Sequence, residues 1–383
     1  MVLMSSINEV NHLVKASDVF FFVLLIIAFT FIVNTQPVKS VENSWTTETP
    51  MPTARAQLGV AVVNGKIYAI GGGNNTAAGP TLLNVNEEYD PATNTWTTKE
   101  PMPTARQSFG IAVYENKIYC IGGSTNGPRL AVNEVYDPAT NTWETKTAMP
   151  TARAGLSANT VNGRIYLMGG DPGNTTNEAY DPVTDSWTTE SQIPLGASGS
   201  ASAVVGSKIY LFGGIFNRNA TQIFDTTTGT WTKGLPIPVG VAEGAAAATS
   251  GVDVPVRIYV MGGEITYVRN GETYGNVTDL NQVYDPETNS WSMGAPLPSV
   301  LRFFGLAVVN DTLYAMGGFP LLIDFLNTNY EYTPLGYGEA TQPGPWFFSP
   351  AGIAIIASAI GVVAASMAYV LYKRYRARYQ SRT

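Results

Sequence analysis

Six Gly-Gly pairs punctuate this chain, at Gly71-Gly72, Gly122-Gly123, Gly169-Gly170, Gly213-Gly214, Gly262-Gly263 and Gly317-Gly318, spaced by 51, 47, 44, 49 and 55 residues. No feature constrains the fold more, because a period of about 50 residues marks an array of like supersecondary units. Each pair follows an alternating apolar run such as Ile67-Tyr68-Ala69-Ile70 or Ile165-Tyr166-Leu167-Met168. That alternation predicts a half-buried strand. Glycine at its end allows positive φ and close approach of a neighbouring backbone.

Downstream of four of the stops runs Tyr-Asp-Pro-x-Thr-Asn-x-Trp, at Tyr89–Trp96, Tyr136–Trp143, Tyr284–Trp291 and, with Asp for Asn, Tyr180–Trp187. Phe224–Trp231 is a looser copy with Thr226 for proline and Gly229 for asparagine. The chemistry is that of a tight hairpin: Asp bonds the backbone two residues on, Pro presets φ, and Asn or Gly tolerates the left-handed position. Tyr and Trp supply large buried area.

These phrases together resemble the kelch repeat over roughly Trp45 to Tyr332. The resemblance implies an all-β fold, a β-propeller of four-stranded blades whose strands a to d run from axis to rim. Gly-Gly would end strand b, Tyr-Asp-Pro strand c, and Trp would mark strand d. The run Leu58–Val63 would be an inner strand a. Six Gly-Gly pairs meet six in-register tryptophans (Trp45, Trp96, Trp143, Trp187, Trp231, Trp291), but Trp45 precedes the first pair and none follows the sixth. Six blades are therefore expected, with Ser44–Glu48 supplying strand d to a last blade built from Phe303–Tyr332. Such mixed-terminus closure removes exposed sheet edges.

Outside residues 41–332, assigned to the propeller, the chain changes character. Residues 1–40 hold an uncharged apolar run, Val19–Val33, expected to be a secretory signal or an uncleaved anchor. Residues 333–346 are a Gly/Pro-rich linker, and residues 347–372 contain the uncharged stretch Ala351–Tyr372, long enough to span a bilayer. Residues 373–383 form a basic tail with Lys373, Arg374, Arg376, Arg378 and Arg382, which predicts a cytoplasmic C-terminus and an extracellular propeller at the cell membrane. Ala357, Gly361 and Ala365 place small residues on one face of the span, suiting a weak dimer. A chain entering at strand d and leaving after strand c uses one face of the ring for both links. The face of d–a and b–c loops then looks outward.

Charge and residue inventory narrow the chemistry. Residues 41–346 carry 15 Lys+Arg and 27 Asp+Glu, a net of 15 − 27 = −12, which argues against nucleic acid. The only histidine is His12 and the only cysteine Cys120. That excludes the copper oxidases of this family, which need several histidines, as well as Ser-His-Asp and Cys-His chemistry. No cofactor or metal is expected, and Cys120 reads as a small buried hydrophobe.

Three candidate sites remain. Pro-Thr-Ala-Arg recurs at Pro52–Arg55, Pro103–Arg106 and Pro150–Arg153, which puts Arg55, Arg106 and Arg153 at the start of strand a. Relatives that bind acidic peptides carry arginines near such positions, so the three could form half a collar for a carboxylate. They could equally be repeat consensus bonding neighbouring loops. The b–c loop of blade 5, Glu264 to Leu280, carries Tyr267, Arg269 and Tyr274. The b–c loop of blade 6 is apolar from Phe319 to Leu326, so the two together resemble a partner-binding rim. Asn74, Asn174, Asn219, Asn276 and Asn310 open Asn-x-Thr glycosylation acceptors. The expected function is a cell-surface scaffold for a protein or an acidic glycan. The alternatives are a sugar-processing enzyme resembling the kelch-type sialic acid mutarotases, with Glu243 moving protons, or a structural envelope spacer.

Overall fold

The structure is a computed structural model that describes residues 41–76, 79–172, 174–269, 272–320 and 325–337. Six four-stranded antiparallel sheets make up the body. Blade 1 runs Gly59–Val63 (a), Lys66–Ile70 (b), Asn86–Asp90 (c) and Thr95–Lys99 (d), and the same order recurs through blade 5. Blade 6 takes a, b and c from Gly305–Val309, Thr312–Met316 and Asn329–Thr333, and d from Ser44–Thr47. The closing pair is antiparallel, with Ser44 opposite Thr333 and Trp45 opposite Tyr332. The expected mixed-terminus closure is the one observed. Inner strands touch their neighbours all the way round, Gly305–Val309 meeting Gly59–Val63 to complete the ring.

Burial grades outward. The b strands are buried along almost their whole length, whereas the d strands are exposed apart from half-buried positions such as tryptophan. The core is divided among six clusters, each lying between two blades. One joins Tyr68 and Ile70 of blade 1 to Phe109, Ile118 and Tyr136 of blade 2, and another joins Ile67 and Tyr89 to Tyr314 and Met316 of blade 6. No blade can bury its faces alone, and this interdependence is the physical reason for the repeat.

Three closed sets of hydrogen bonds stitch neighbouring blades. At the rim, the indole N–H of each of the six blade tryptophans donates to a carbonyl just past strand d of the preceding blade: Trp96 to Thr49 at 2.8 Å, Trp143 to Glu100 at 2.9 Å, and, across the closure, Trp45 to Ala295 at 3.0 Å. Midway out, the second glycine of every Gly-Gly pair donates its N–H to the next blade's carbonyl, as Gly72 does to Arg106 (3.0 Å) and Gly318 to Arg55 (2.9 Å). A side chain there is excluded by its own blade: a Cβ on Gly72, which sits at φ +98°, would lie 2.7 Å from the oxygen of Ala56, just ahead of strand a. The third set circles the axis and belongs to the site below.

Two b–c loops add a hairpin each, Gly73–Thr76 with Gly79–Leu82 in blade 1 and Glu264–Arg269 with Glu272–Val277 in blade 5. Among the described residues no helix is long and apolar enough to cross a membrane. The expected leader, span, tail, dimer motif and His12 all lie outside the described residues.

Candidate functional site at the channel mouth

Strand a of each blade is preceded by a residue in the left-handed region: Gln57, Ser108, Gly155, Gly199, Glu243 and Phe303, with φ between 55° and 65°. Their backbones form a closed belt. Gln57 N donates to Phe303 O (2.8 Å), Ser108 to Gln57 (2.9 Å), Gly155 to Ser108 (2.8 Å), Gly199 to Gly155 (3.0 Å), Glu243 to Gly199 (2.8 Å) and Phe303 to Glu243 (2.8 Å). Four of the six are not glycine, and a left-handed residue with a side chain costs energy that the surroundings must offset. The belt turns Gln57, Ser108, Glu243 and Phe303 into the lining of a pocket over the axis, with Ser200 and Phe109 beside them.

The arginines expected as an anion collar are not in that lining. Arg55, Arg106 and Arg153 are wholly buried. Each pairs with a glutamate on strand c of its own blade, Arg55 with Glu87 at 2.7 Å, Arg153 with Glu178 at 2.7 Å, and Arg106 with Glu134. The same glutamates accept the hydroxyl of the Pro-Thr-Ala-Arg threonine, Thr53 at 2.7 Å and Thr104 at 2.6 Å. Remaining guanidinium N–H groups cap strand carbonyls, Arg55 on Ala69 (2.9 Å) and Arg106 on Cys120 (2.8 Å). Burial pushes the Arg55 and Arg153 guanidinium groups below their ordinary value, opposed by Glu87 and Glu178. These arginines bind the blade together and present no donor to a ligand. Burial also pushes the Cys120 thiol up to about 12, so it is not nucleophilic.

A second charged cluster sits at the mouth over blades 4 to 6. Arg302, just ahead of strand a of blade 6, places Nη1 3.0 Å from Glu243 and 2.8 Å from Glu264. Glu264 also takes Arg218 at 2.8 Å. All four side chains are about a fifth exposed. Arg302 lies over the rings of Phe303 (5.1 Å) and Phe319 (5.5 Å). Burial raises the Glu243 carboxyl above the usual carboxylate range, with Arg302 pulling it down and Glu264 pushing it further up. The b–c and d–a loops of the same blades carry exposed apolar or aromatic residues, Ile215 and Phe216 after strand b of blade 4, Tyr274 in the blade 5 hairpin, and Val239 and Val300 in d–a loops. Sequence reasoning named Glu243 and Tyr274 but missed Arg218 and Glu264, each of which directly follows or lies within a b–c loop after Gly-Gly.

The other expected residues are placed as follows. Tyr267 faces Tyr274 across the blade 5 hairpin, and Arg269 faces Glu272. The side chains of Tyr267 and Arg269 lie outside the described set, and the Tyr274 hydroxyl donates to Glu272 at 2.7 Å. In the blade 6 loop, residues 321–324 lie outside the described set, while the Phe319 and Phe325 rings meet at 5.2 Å. Asn219, Asn276 and Asn310 are exposed, whereas Asn74 and Asn174 are half-buried. Asn310 sits in an a–b turn, away from the mouth.

Comparison with known proteins follows the same lines. The KLHDC2/KLHL20/DRC7 kelch-repeats domain matches residues 29–170 and 145–318. Human Kelch-like protein 28 is 35% identical over 85 residues, covering 21% of this chain and 15% of that protein. The mouse influenza virus NS1A-binding protein homologue is 43% identical over 75 residues, 20% of this chain and 11% of that one. Kelch-like protein terF of Aspergillus terreus is 39% identical over 93 residues, 23% and 20% respectively. The matched stretch thus spans a fifth or less of each of these relatives. Among solved structures, that of YjhT superposes with a TM-score of 0.62 at 18% identity, over 74% of this chain and 96% of the other, a likeness of fold.

Proposed function

This chain belongs to the kelch-repeat family, and on that premise we propose that it is a binding scaffold at the cell surface whose ligand seats on blades 4 to 6 of the mouth face. One observation carries the reading: a partly desolvated Arg218–Glu264–Arg302–Glu243 network in blades whose b–c and d–a loops expose Ile215, Phe216, Val300 and Tyr274. Half-buried arginine and aromatic anchors within an apolar surround are the anatomy of an interface hot spot. A protein is the ligand class favoured, since a relative is named as the homologue of an NS1A-binding protein. An acidic glycan loses support because the arginines that would hold it are internal.

Membrane display rests on the uncharged Ala351–Tyr372 stretch and its basic flank. It is supported by geometry, since Ser44 and Thr333, where the ring is entered and left, are opposite one another. Phe216→Ser is expected to cut recovery of bound proteins in a quantitative pull-down from the native cell surface by at least tenfold. Val183→Ser, an equally exposed apolar change in a c–d turn on the other face, should leave recovery unchanged. Equal recovery by both variants would move the interface elsewhere.

The enzymatic alternative has one observation in its favour, the raised Glu243 carboxyl beside a pocket, as proton transfer near neutral pH requires. NMR of sialic acid anomer exchange tests it, and a Glu243→Ala chain with unaltered exchange would end that assignment.

A further inference from the structure

We infer that the channel mouth is a receptor for a cationic side chain, a lysine or arginine of the partner, with Glu243 as its counter-charge. The inference deepens the docking reading above and rests on it. Three observations carry it. First, the belt and the collar positions offer an anion little: all six belt amides are spent on belt carbonyls, Arg55, Arg106 and Arg153 are buried in ion pairs, and Arg218 and Arg302 at the edge of the mouth are already paired with Glu264 and Glu243.

Second, acceptors abound. Every belt carbonyl keeps a second lone pair, and Gln57, Ser108 and Ser200 add side-chain oxygens to the lining. Glu243 is the one charged side chain lining the pocket among the described residues. Its Oε2 accepts from Arg302, while Oε1 has no hydrogen-bond partner among the described residues. Third, part of the wall is apolar, with Leu58, Leu156 and Phe303 contributing. A carboxylate beside such a wall suits an aliphatic stem with a charged tip, the stem packing on the apolar side chains and the cation gaining from the Phe303 ring. The surrounding field agrees in sign, since residues 41–346 carry 15 Lys+Arg against 27 Asp+Glu, which draws cations inward.

The test uses the full-length chain and three octapeptides of alternating glycine with lysine, glutamate or serine, titrated calorimetrically at low salt. The Gly/Lys peptide should bind, and Glu243→Gln, which keeps shape and removes charge, should weaken it at least tenfold. Phe303→Leu should weaken it severalfold, a second readout that keeps the carboxylate. Asp137→Asn, on the a–b/c–d face, controls for general acidity and should have no effect. Loss of equal size in Asp137→Asn and Glu243→Gln would overturn the assignment, leaving only diffuse attraction, as would a Gly/Lys peptide that does not bind. If the Gly/Glu or Gly/Ser peptide bound instead and Phe216→Ser abolished it, the docking face would stand while the cationic assignment fell. Thermal melts of each variant confirm that a folded ring is being titrated.

Discussion

Blade 4 has Phe224 and Gly229 where blades 1, 2 and 5 have tyrosine and asparagine, and the two departures are one event. In the other blades the strand c tyrosine hydroxyl donates to the side chain of the left-handed turn residue: Tyr89 to Asn94 (2.9 Å), Tyr136 to Asn141 (2.6 Å), Tyr180 to Asp185 (2.6 Å), Tyr284 to Asn289 (2.7 Å), and Tyr332 to Asn43 (2.7 Å) across the closure. With glycine in the turn the acceptor is gone, and phenylalanine removes the donor that would need it. Phe224→Tyr alone should therefore destabilise by about 1–3 kcal/mol, the cost of a buried hydroxyl without a partner. Gly229→Asn added to it should recover most of that loss, because Gly229 already sits at φ +68°, a value asparagine adopts. A double-mutant cycle from denaturant midpoints measures the coupling. Additive effects would refute it.

The same reading explains the arginines. Blades 1 to 3 pair Arg with Glu, whereas blades 4 and 5 have Ala197 with Gln222 and Val241 with Gln282. Each glutamine instead bonds the backbone of its own d–a loop twice, Gln282 to Val239 at 2.9 Å in both directions. Where the guanidinium is missing, so is the carboxylate. Arg106→Val should cost about 3–5 kcal/mol by stranding Glu134 in the core. Arg106→Val with Glu134→Gln recreates the blade 5 arrangement and should be far milder. Equal urea midpoints for the single and double variants would contradict this account.

Among elements, strands and stops were legible because period-two alternation and Gly-Gly report local backbone demands. At Gly122 the demand is doubled: φ is +70°, and a Cβ would stand 2.8 Å from the Arg153 oxygen of blade 3. Gly122→Ala is expected to destabilise by more than about 1 kcal/mol, beyond the usual glycine-to-alanine range, as read by the urea midpoint. The closing strand was legible from Trp45 alone, since its register could be counted. The blade 5 hairpin was not recognised, although alternating residues flank Asn270-Gly271, a strong hairpin dipeptide. A long insertion between two blade motifs reads first as loop. The arginines left two readings open for a different reason: their partners lie on strand c, many residues downstream, and a motif read singly shows a charge without its counter-charge. The mouth cluster was half visible, because its members come from three blades and only folding brings Arg218, Glu264 and Arg302 together.

At the scale of the whole molecule, the ring holds together because no blade is complete without its neighbour, and the last is incomplete without the first residues of the propeller. The strand that closes the circle, Ser44–Thr47, meets Asn329–Thr333 with Ser44 against Thr333 at the open end. The two points where the propeller joins the rest of the chain are thus the two ends of one ladder. Tension applied between them does not shear four residue pairs at once but peels them in turn, Ser44 from Thr333, then Trp45 from Tyr332. Pulled between residues 42 and 337 in an optical trap, the propeller should release its first strand as a small, low-force step before the blades yield. Pulled between two blades, as from Asn116 to Thr228, it should show no such step. The closure that makes the ring complete also makes it a zipper with its tab where the chain enters and leaves the propeller.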